Sequence, residues 1–398
     1  MPVLLQIDSC LGVLSTGRIT EGIASNAIKE GWDCYIAHGA RYVGKSMMKS
    51  YQVTSVAGEY IHYAKSILFD SHGLGSTLAT KKLIRLIDED IKPDIIHLHC
   101  IHGYYLNYKV LFEYLNKKSI PVVWTFHDCW AFTGHCAHFV TANCNKWKSG
   151  CYECPLKSEY PKSITDASGR NYDLKKSLFQ NNKNLHIVTV SEWLASLVRE
   201  SFLGQKEIYV IRNGIDINHF TPKEKSSSER FNIIGVASAW GRDKGLYDFY
   251  KLRELLSEDK YSITLVGLTQ DQINSLPQGI RGICRTNSVD ELAKLYSDSD
   301  VFVNPTYVDS FPTVNMEAMA CGLPVITYNI GGGPEAITSS TGIVLEQGDI
   351  NGIADAVRRI QGGLFSISEC RQRAEECFDN KRCYLDYVKL YNRLLENR

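Results

Sequence analysis

Two carboxylates eight positions apart and a triple glycine lie within DSFPTVNMEAMACGLPVITYNIGGGPEAI, the stretch from Asp309 to Ile337. Glu317 is expected to open an apolar helical stretch, Pro324–Tyr328 to form a short strand, and a second helix to start at Pro334 and Glu335. Ionised carboxylates accept hydrogen bonds from vicinal hydroxyls such as a ribose or a hexose presents. Gly331, Gly332 and Gly333 would free backbone N–H groups at a helix N-terminus, where an anion is favoured. Carboxylates for sugar beside amides for phosphate are what gripping a sugar nucleotide requires. An ordinary strand–turn–helix with a capping acid is the alternative.

A second group with its own chemistry is GHCAHFVTANCNKWKSGCYECP. Cys136, Cys144, Cys151 and Cys154 fall within nineteen positions and end in Cys-x2-Cys before Pro155. Two thiolates at that spacing reach one tetrahedral ion, so a structural zinc is one reading. Free or redox thiols and disulfides are the others, because the x7 gap of the first pair is wider than zinc sites favour. Cys129, His135 and His138 are further ligand candidates. His97 and His99, two apart on a strand, could also pair on a metal, against a plain core or acceptor-side role.

These residues need elements to position them. A chain of 398 residues exceeds one compact core, and two domains are expected. Strands are expected at Val3–Ile7, Asp33–Ala37, Ile95–Leu98, Pro121–Phe126 and His186–Val190, with helices at Gly17–Glu30 and Ser76–Asp90. The second half repeats the alternation with Asn232–Val236, Ser262–Val266, Val301–Pro305, Val325–Tyr328 and Gly342–Leu345. Continuous apolar strands alternating with helices predict two doubly wound α/β halves. Thr221–Arg230, charged and serine-rich, reads as the linker, and Cys370–Glu396 as a C-terminal helical stretch.

Bulk properties exclude several classes. With 44 basic and 44 acidic residues the chain is neutral, which argues against nucleic acid as a partner. No apolar run is as long as a membrane span, and MPVLLQIDSC reads as a first strand and not a signal peptide. A cytoplasmic setting follows, where disulfides are disfavoured.

The 309–337 stretch resembles the acidic motif and glycine turn of retaining glycosyltransferases of family 4, which have the GT-B fold. Phe311, Glu317, Ala318, Met319, Ala320, Gly322, Pro324 and Val325 match, whereas Asp309 replaces the usual first Glu and Pro312 a glycine. Ser15-Thr16-Gly17-Arg18 resembles the family's first turn, Arg212-Asn213-Gly214-Ile215-Asp216 its domain crossing, and SAWGRDKG, Ser238 to Gly245, its phosphate-binding basic segment. The family's arginine falls where this chain has Ala239, with Arg242 as the substitute. His127-Asp128 resembles the histidine that points to the donor sugar.

The resemblance implies two Rossmann-like domains facing a cleft. Residues 1–212, with about 378–398 crossing back, would bind the acceptor, and residues 213–377 the nucleotide sugar. It implies Lys244, Asp309, Glu317 and His127 as catalytic residues. Gly17, Arg242, Lys244, Asp309, Phe311, Pro312, Thr313, Glu317 and Gly331–Gly333 would line the donor. Breaking a sugar–phosphate bond puts charge on the departing diphosphate, and a preorganised lysine and amides stabilise it. The implied activity is metal-independent transfer, with retention, from a nucleoside-diphosphate sugar to a polysaccharide or lipid-linked oligosaccharide. An inactive sugar-nucleotide-binding protein, or a phosphorylase or disaccharide synthase of the same fold, is the alternative. Basic residues around Arg41, Lys45 and Lys49, and at Lys109, Lys117 and Lys118, leave peripheral membrane attachment open.

Overall fold

The structure, a computed structural model, describes residues 1–396 of the chain. The chain divides into one unit made of Met1–Arg212 and the chain from Tyr384 on, and a second unit, Asn213–Cys383. Each unit is a parallel sheet wrapped by helices, the doubly wound architecture that the alternating apolar strands predict.

In the first unit the strands are β1 (Val3–Leu11), β2 (Asp33–Val43), β3 (Lys49–Gln52), β4 (Ile95–Leu98), β5 (Val122–Phe126), β6 (Leu185–Thr189) and β7 (Glu207–Val210). Their order across the sheet is β3-β2-β1-β4-β5-β6-β7, and every pairing is parallel. The central β4 and β5 are buried along their whole length, as continuous apolar runs in a sheet covered on both faces must be. The second unit holds β8 (Phe231–Val236), β9 (Tyr261–Val266), β10 (Ile280–Ile283), β11 (Val301–Asn304), β12 (Val325–Tyr328) and β13 (Gly342–Leu345). Their order is β10-β9-β8-β11-β12-β13, again parallel throughout. Phe249 and Leu252, from the helix Leu246–Leu255, pack with Ile233, Leu265 and Val301 in its core. The strand order reverses beside the first strand of each sheet, between β1 and β4 and between β8 and β11. Such a reversal opens a crevice at the carboxyl ends of the strands.

Two expectations need correction. Thr221–Arg230 is not a linker between units but a surface segment of the second unit. The Lys223 N–H donates to Ser297 Oγ at 3.0 Å and the Ser226 N–H to Asp298 at 2.8 Å, so its backbone amides hold it to a neighbouring helix end. The first helix spans Leu14–Lys29 and starts three residues earlier than Gly17.

The C-terminal stretch is two helices, Ile367–Phe378 and Asn380–Glu396, broken at an extended Asp379. The second delivers tyrosines into the polar interior of the first unit. Tyr391 bonds the buried His97 Nδ1 at 2.6 Å, and Thr125 donates to the Tyr387 hydroxyl at 3.2 Å. Leaving a buried imidazole nitrogen unpaired costs more than a bond in water returns. Tyr391→Phe is therefore expected to lower stability by about 1–2 kcal/mol. Denaturant titration of the full chain checks it, and an unchanged midpoint would show that the hydroxyl contributes nothing.

Candidate active site

Carboxyl-end loops of the second sheet gather the acidic, basic and glycine motifs. Lys244 lies in the turn after β8, which ends at Gly245 with a φ of 71°. A side chain there would meet the Pro305 carbonyl at 2.2 Å, so only glycine lets this turn lie against the loop after β11. The same loops are laced by the Asp243 carbonyl, which accepts from Tyr307 N–H at 2.7 Å and from the Thr306 hydroxyl at 3.2 Å. Lys244 Nζ consequently sits 2.8 Å from Asp309 Oδ2 and 3.3 Å from the Val308 carbonyl. The other Asp309 oxygen accepts from the Phe311 N–H at 3.2 Å. About a quarter of each side chain is exposed, 28% for Lys244 and 25% for Asp309, so water screens the pair and it adds little stability. What it does is hold a cation and an anion ready at the sheet edge.

The glycine turn is folded onto the same aspartate. Gly331 has φ 60°, and a Cβ at this position would fall 1.9 Å from the Asp309 carbonyl. That carbonyl also accepts the Gly332 N–H at 3.2 Å. The amides left as anion donors are those of Gly331 and Gly333. The helix expected from Pro334 is a single 3-10 turn, Gly333–Ala336. Ile337 is extended, and the Thr338 N–H turns to the Thr341 hydroxyl at 2.9 Å, which ends the turn before a helix can form. Any anion affinity here rests on individual amides and not on a helix dipole.

Glu317 lies one turn inside the helix Thr313–Ala320 and does not open it. Its carboxylate accepts the hydroxyl of the buried Tyr296 at 3.3 Å, a second-unit contact that fixes the side chain. Pro312 immediately precedes this helix and Thr313 begins it, half-buried. Phe311 is committed to the core, 3% exposed and edge-on to Phe378. Arg242 is exposed two positions before Lys244.

In the first unit the tight turn after β1 is made by Gly12, φ 64°, and Leu14, φ 57°. Gly17 is buried inside the following helix, where a Cβ would come within 3.0 Å of Cys10 Cβ. It lets the helix start close on the strand end, and Gly12 takes the turn role that its position after an apolar run signals. His127 follows β5, and its Nε2 lies 3.2 Å from His99 Nδ1. The remaining strand-end histidines are held by protein groups: His97 by Thr125 and Tyr391, and His102 by Asp128 at 3.0 Å. Burial keeps the His97 and His99 imidazoles neutral, far below their usual range.

Cys136, Cys144, Cys151 and Cys154 line one cavity of about 10 Å³, with His135 and Trp147 beside them. Interaction between the Cys136 and Cys154 thiols lowers the pKa of Cys154 and, with burial, raises that of Cys136. Cys151 Sγ accepts the Gly134 N–H at 3.2 Å. Among the described residues, no group of three or more His, Cys, Asp or Glu side chains is disposed to hold a metal ion.

Comparison with known proteins agrees with this fold. The family model for glycosyltransferase family 4 matches residues 18–219, and that for glycosyl transferases group 1 matches residues 230–362. WcaC of Escherichia coli K12, assigned as a colanic acid biosynthesis glycosyl transferase, is 26% identical over 79% of this chain and 80% of its own. The capsular polysaccharide biosynthesis glycosyltransferase CapM of Staphylococcus aureus is 24% identical over 53% of this chain and 62% of its own. Among solved structures, sucrose-phosphate synthase of Thermosynechococcus elongatus superposes with a TM-score of 0.75 at 15% identity, covering all of both chains. HepE of Anabaena, crystallised in complex with UDP, gives 0.66 at 14% identity over 98% of this chain and all of its own. Two parallel Rossmann-like sheets, the motif order and both family matches make this chain a GT-B glycosyltransferase of family 4.

Proposed function

We propose that this glycosyltransferase moves a sugar, with retention of configuration, from a nucleoside-diphosphate sugar to a polysaccharide or lipid-linked oligosaccharide acceptor. The observation that carries the reading is Lys244 held 2.8 Å from Asp309, beside the Gly331–Gly333 turn, at the carboxyl edge of the second sheet. A diphosphate leaving group gains charge as the anomeric bond breaks. Lys244 and the Gly331 and Gly333 amides would stabilise it without waiting for groups to reorganise. Asp309 would meet the sugar and Glu317 the ribose, each as a charge-assisted acceptor. These residues supply the needed charge without a metal. Relatives assigned to colanic acid and capsule synthesis, and a structural neighbour crystallised with UDP-glucose, support the substrate classes.

Lys244→Ala is expected to lower turnover about a hundredfold, as loss of one transition-state donor does. Glu317→Ala should cost roughly 1.5–3 kcal/mol of donor affinity. Nucleoside-diphosphate release with UDP-, GDP- and ADP-sugars measures both. Parental activity in either folded variant removes that residue from the site.

A lipid-linked acceptor would bring the enzyme to the cytoplasmic face of a membrane. No helix among the described residues is long and apolar enough to cross one. The basic residues offer little attraction, since Arg41 is paired with Glu59, Lys49 with Asp33 and Lys118 with Asp88. The support is apolar: on the helix Val56–Phe69, Tyr60, Ile61, Leu68 and Phe69 are each at least half exposed, at 58%, 60%, 50% and 61%. Liposome flotation should carry the parent upward and leave the Ile61→Ser/Phe69→Ser double variant behind. A parent that stays at the bottom ends the attachment reading.

The cysteine loop fits a structural zinc in part. Four thiols share a cavity sized for one small sphere, with Cys154 drawn toward thiolate and Cys151 sulfur accepting an N–H. The thiols would have to close in by side-chain rotation. Protein purified without chelator is expected to hold one zinc per chain; well under one, with all four thiols titratable, excludes it.

A further inference from the structure

Buried groups with fixed hydrogen-bonding capacity lead from β1 to His127. Gln6 is fully buried in β1, between β2 and β4. One end of its amide lies 2.9 Å from the Thr20 carbonyl, which can only accept, so that end is the NH2 group. The other end, Oε1, lies 3.0 Å from His99 Nε2 and can only accept in turn. His99 must therefore carry its proton on Nε2. Burial holds this imidazole neutral, so its Nδ1 is bare. That bare nitrogen lies 3.2 Å from His127 Nε2, which has to be the donor. His127 is neutral as well, pushed by burial down to about 4, so its own Nδ1 has no proton. Among the described residues no protein group bonds that Nδ1, and it is not one of the buried polar atoms cut off from solvent.

We propose that Gln6 and His99 are positioning residues that lock His127 as its Nε2–H tautomer, so that Nδ1 meets the donor sugar as a hydrogen-bond acceptor. This rests on reading His127 as a donor-sugar contact and makes that contact more specific. The resemblance points His127 to the donor sugar, and the relay fixes the direction of the hydrogen bond. The sugar must supply the proton, from a hydroxyl or an amine. A carbonyl or carboxylate oxygen at the same place would face a bare nitrogen with no proton between them. Neither Gln6 nor His99 needs to touch the sugar to enforce this, because each determines only which nitrogen of the next group is protonated.

Nitrogen-15 NMR of full-length protein with labelled histidine tests the relay without a substrate. The His127 signals are those missing from a His127→Gln spectrum. They should show the Nε2–H pattern in the parent and a mixture of tautomers in Gln6→Met, which keeps the side chain's length and removes the acceptor. Addition of UDP-glucose, GDP-glucose or ADP-glucose should shift the Nδ1 signal in the direction of an accepted hydrogen bond for the true donor. Gln6→Met should also lower kcat/KM about three- to tenfold, the worth of one neutral hydrogen bond. An Nδ1–H or mixed tautomer in the parent overturns the relay even if donor binding shifts the signals. The Nε2–H tautomer with no response to any of the three nucleotide sugars instead overturns the donor contact. The parent spectrum decides between them even where Gln6→Met does not fold.

Discussion

A parallel sheet covered on both faces leaves polar groups one place to work, the ends of its strands. Several of the groups singled out above obey that constraint. Gly12 follows β1, His99 follows β4, His127 follows β5, Lys244 follows β8 and Asp309 follows β11. Between those ends the central strands are mostly apolar, and β4, β5, β11 and β12 bury every residue. Gln6, His97, His99 and Thr125, which lie in the interior of the first unit, come with partners. Burial thus acts twice, building the sheets and forcing the few interior polar groups into defined protonation states.

The two sheets use the strand-end position differently. The second gathers full charges on short loops tied to each other by backbone bonds, so that Lys244 and Asp309 are held by main chain more than by their own attraction. Such an arrangement suits a ligand that brings its own charge, because the cation is only partly neutralised and still faces water. The first sheet carries neutral imidazoles instead, whose protons are allotted by neighbours. That arrangement suits hydroxyl-rich ligands, where direction of donation matters more than charge.

Much of the fold was legible because its signals are local. β4 and β13 have the bounds read from sequence, since short apolar runs between Gly, Pro and polar turns leave little room for error. β3, β7 and β10 were not read: short, edge-lying and half solvated, they lack a continuous apolar run. The motif stretches that hold Lys244, Asp309 and Glu317 all lie in the second unit, with local details that differ from the expectation. Glu317 lies inside its helix, the glycine turn leads to one 3-10 turn, and Gly12, not Gly17, makes the first bend. The Gln6–His99–His127 chain was invisible, because its first link joins residues 93 positions apart and no spacing rule connects them. The linker was misjudged for a related reason: the lysines and serines are as solvated as they read, yet backbone N–H groups at Lys223 and Ser226 tie the segment to Ser297 and Asp298 in the second unit, and sequence gives no sign of such bonds.

The C-terminal helix gives the chain a particular order of assembly. The first unit takes its last pieces from beyond Cys383, so the whole second unit is an insertion between two parts of the first. Within the second unit the entering and leaving segments run side by side: Ile215 N–H donates to the Phe378 carbonyl at 2.8 Å, and Asn380 N–H to that of Ile215 at 3.0 Å. During synthesis, Thr125 and His97 exist long before Tyr387 and Tyr391 reach them. The sheet made first must wait, with buried polar groups unmatched, until the second unit has been made and the final helix emerges. Completion of the first unit is thereby coupled to completion of the second, and a chain released before Tyr387 would lack both tyrosines and the contacts they make in the first unit.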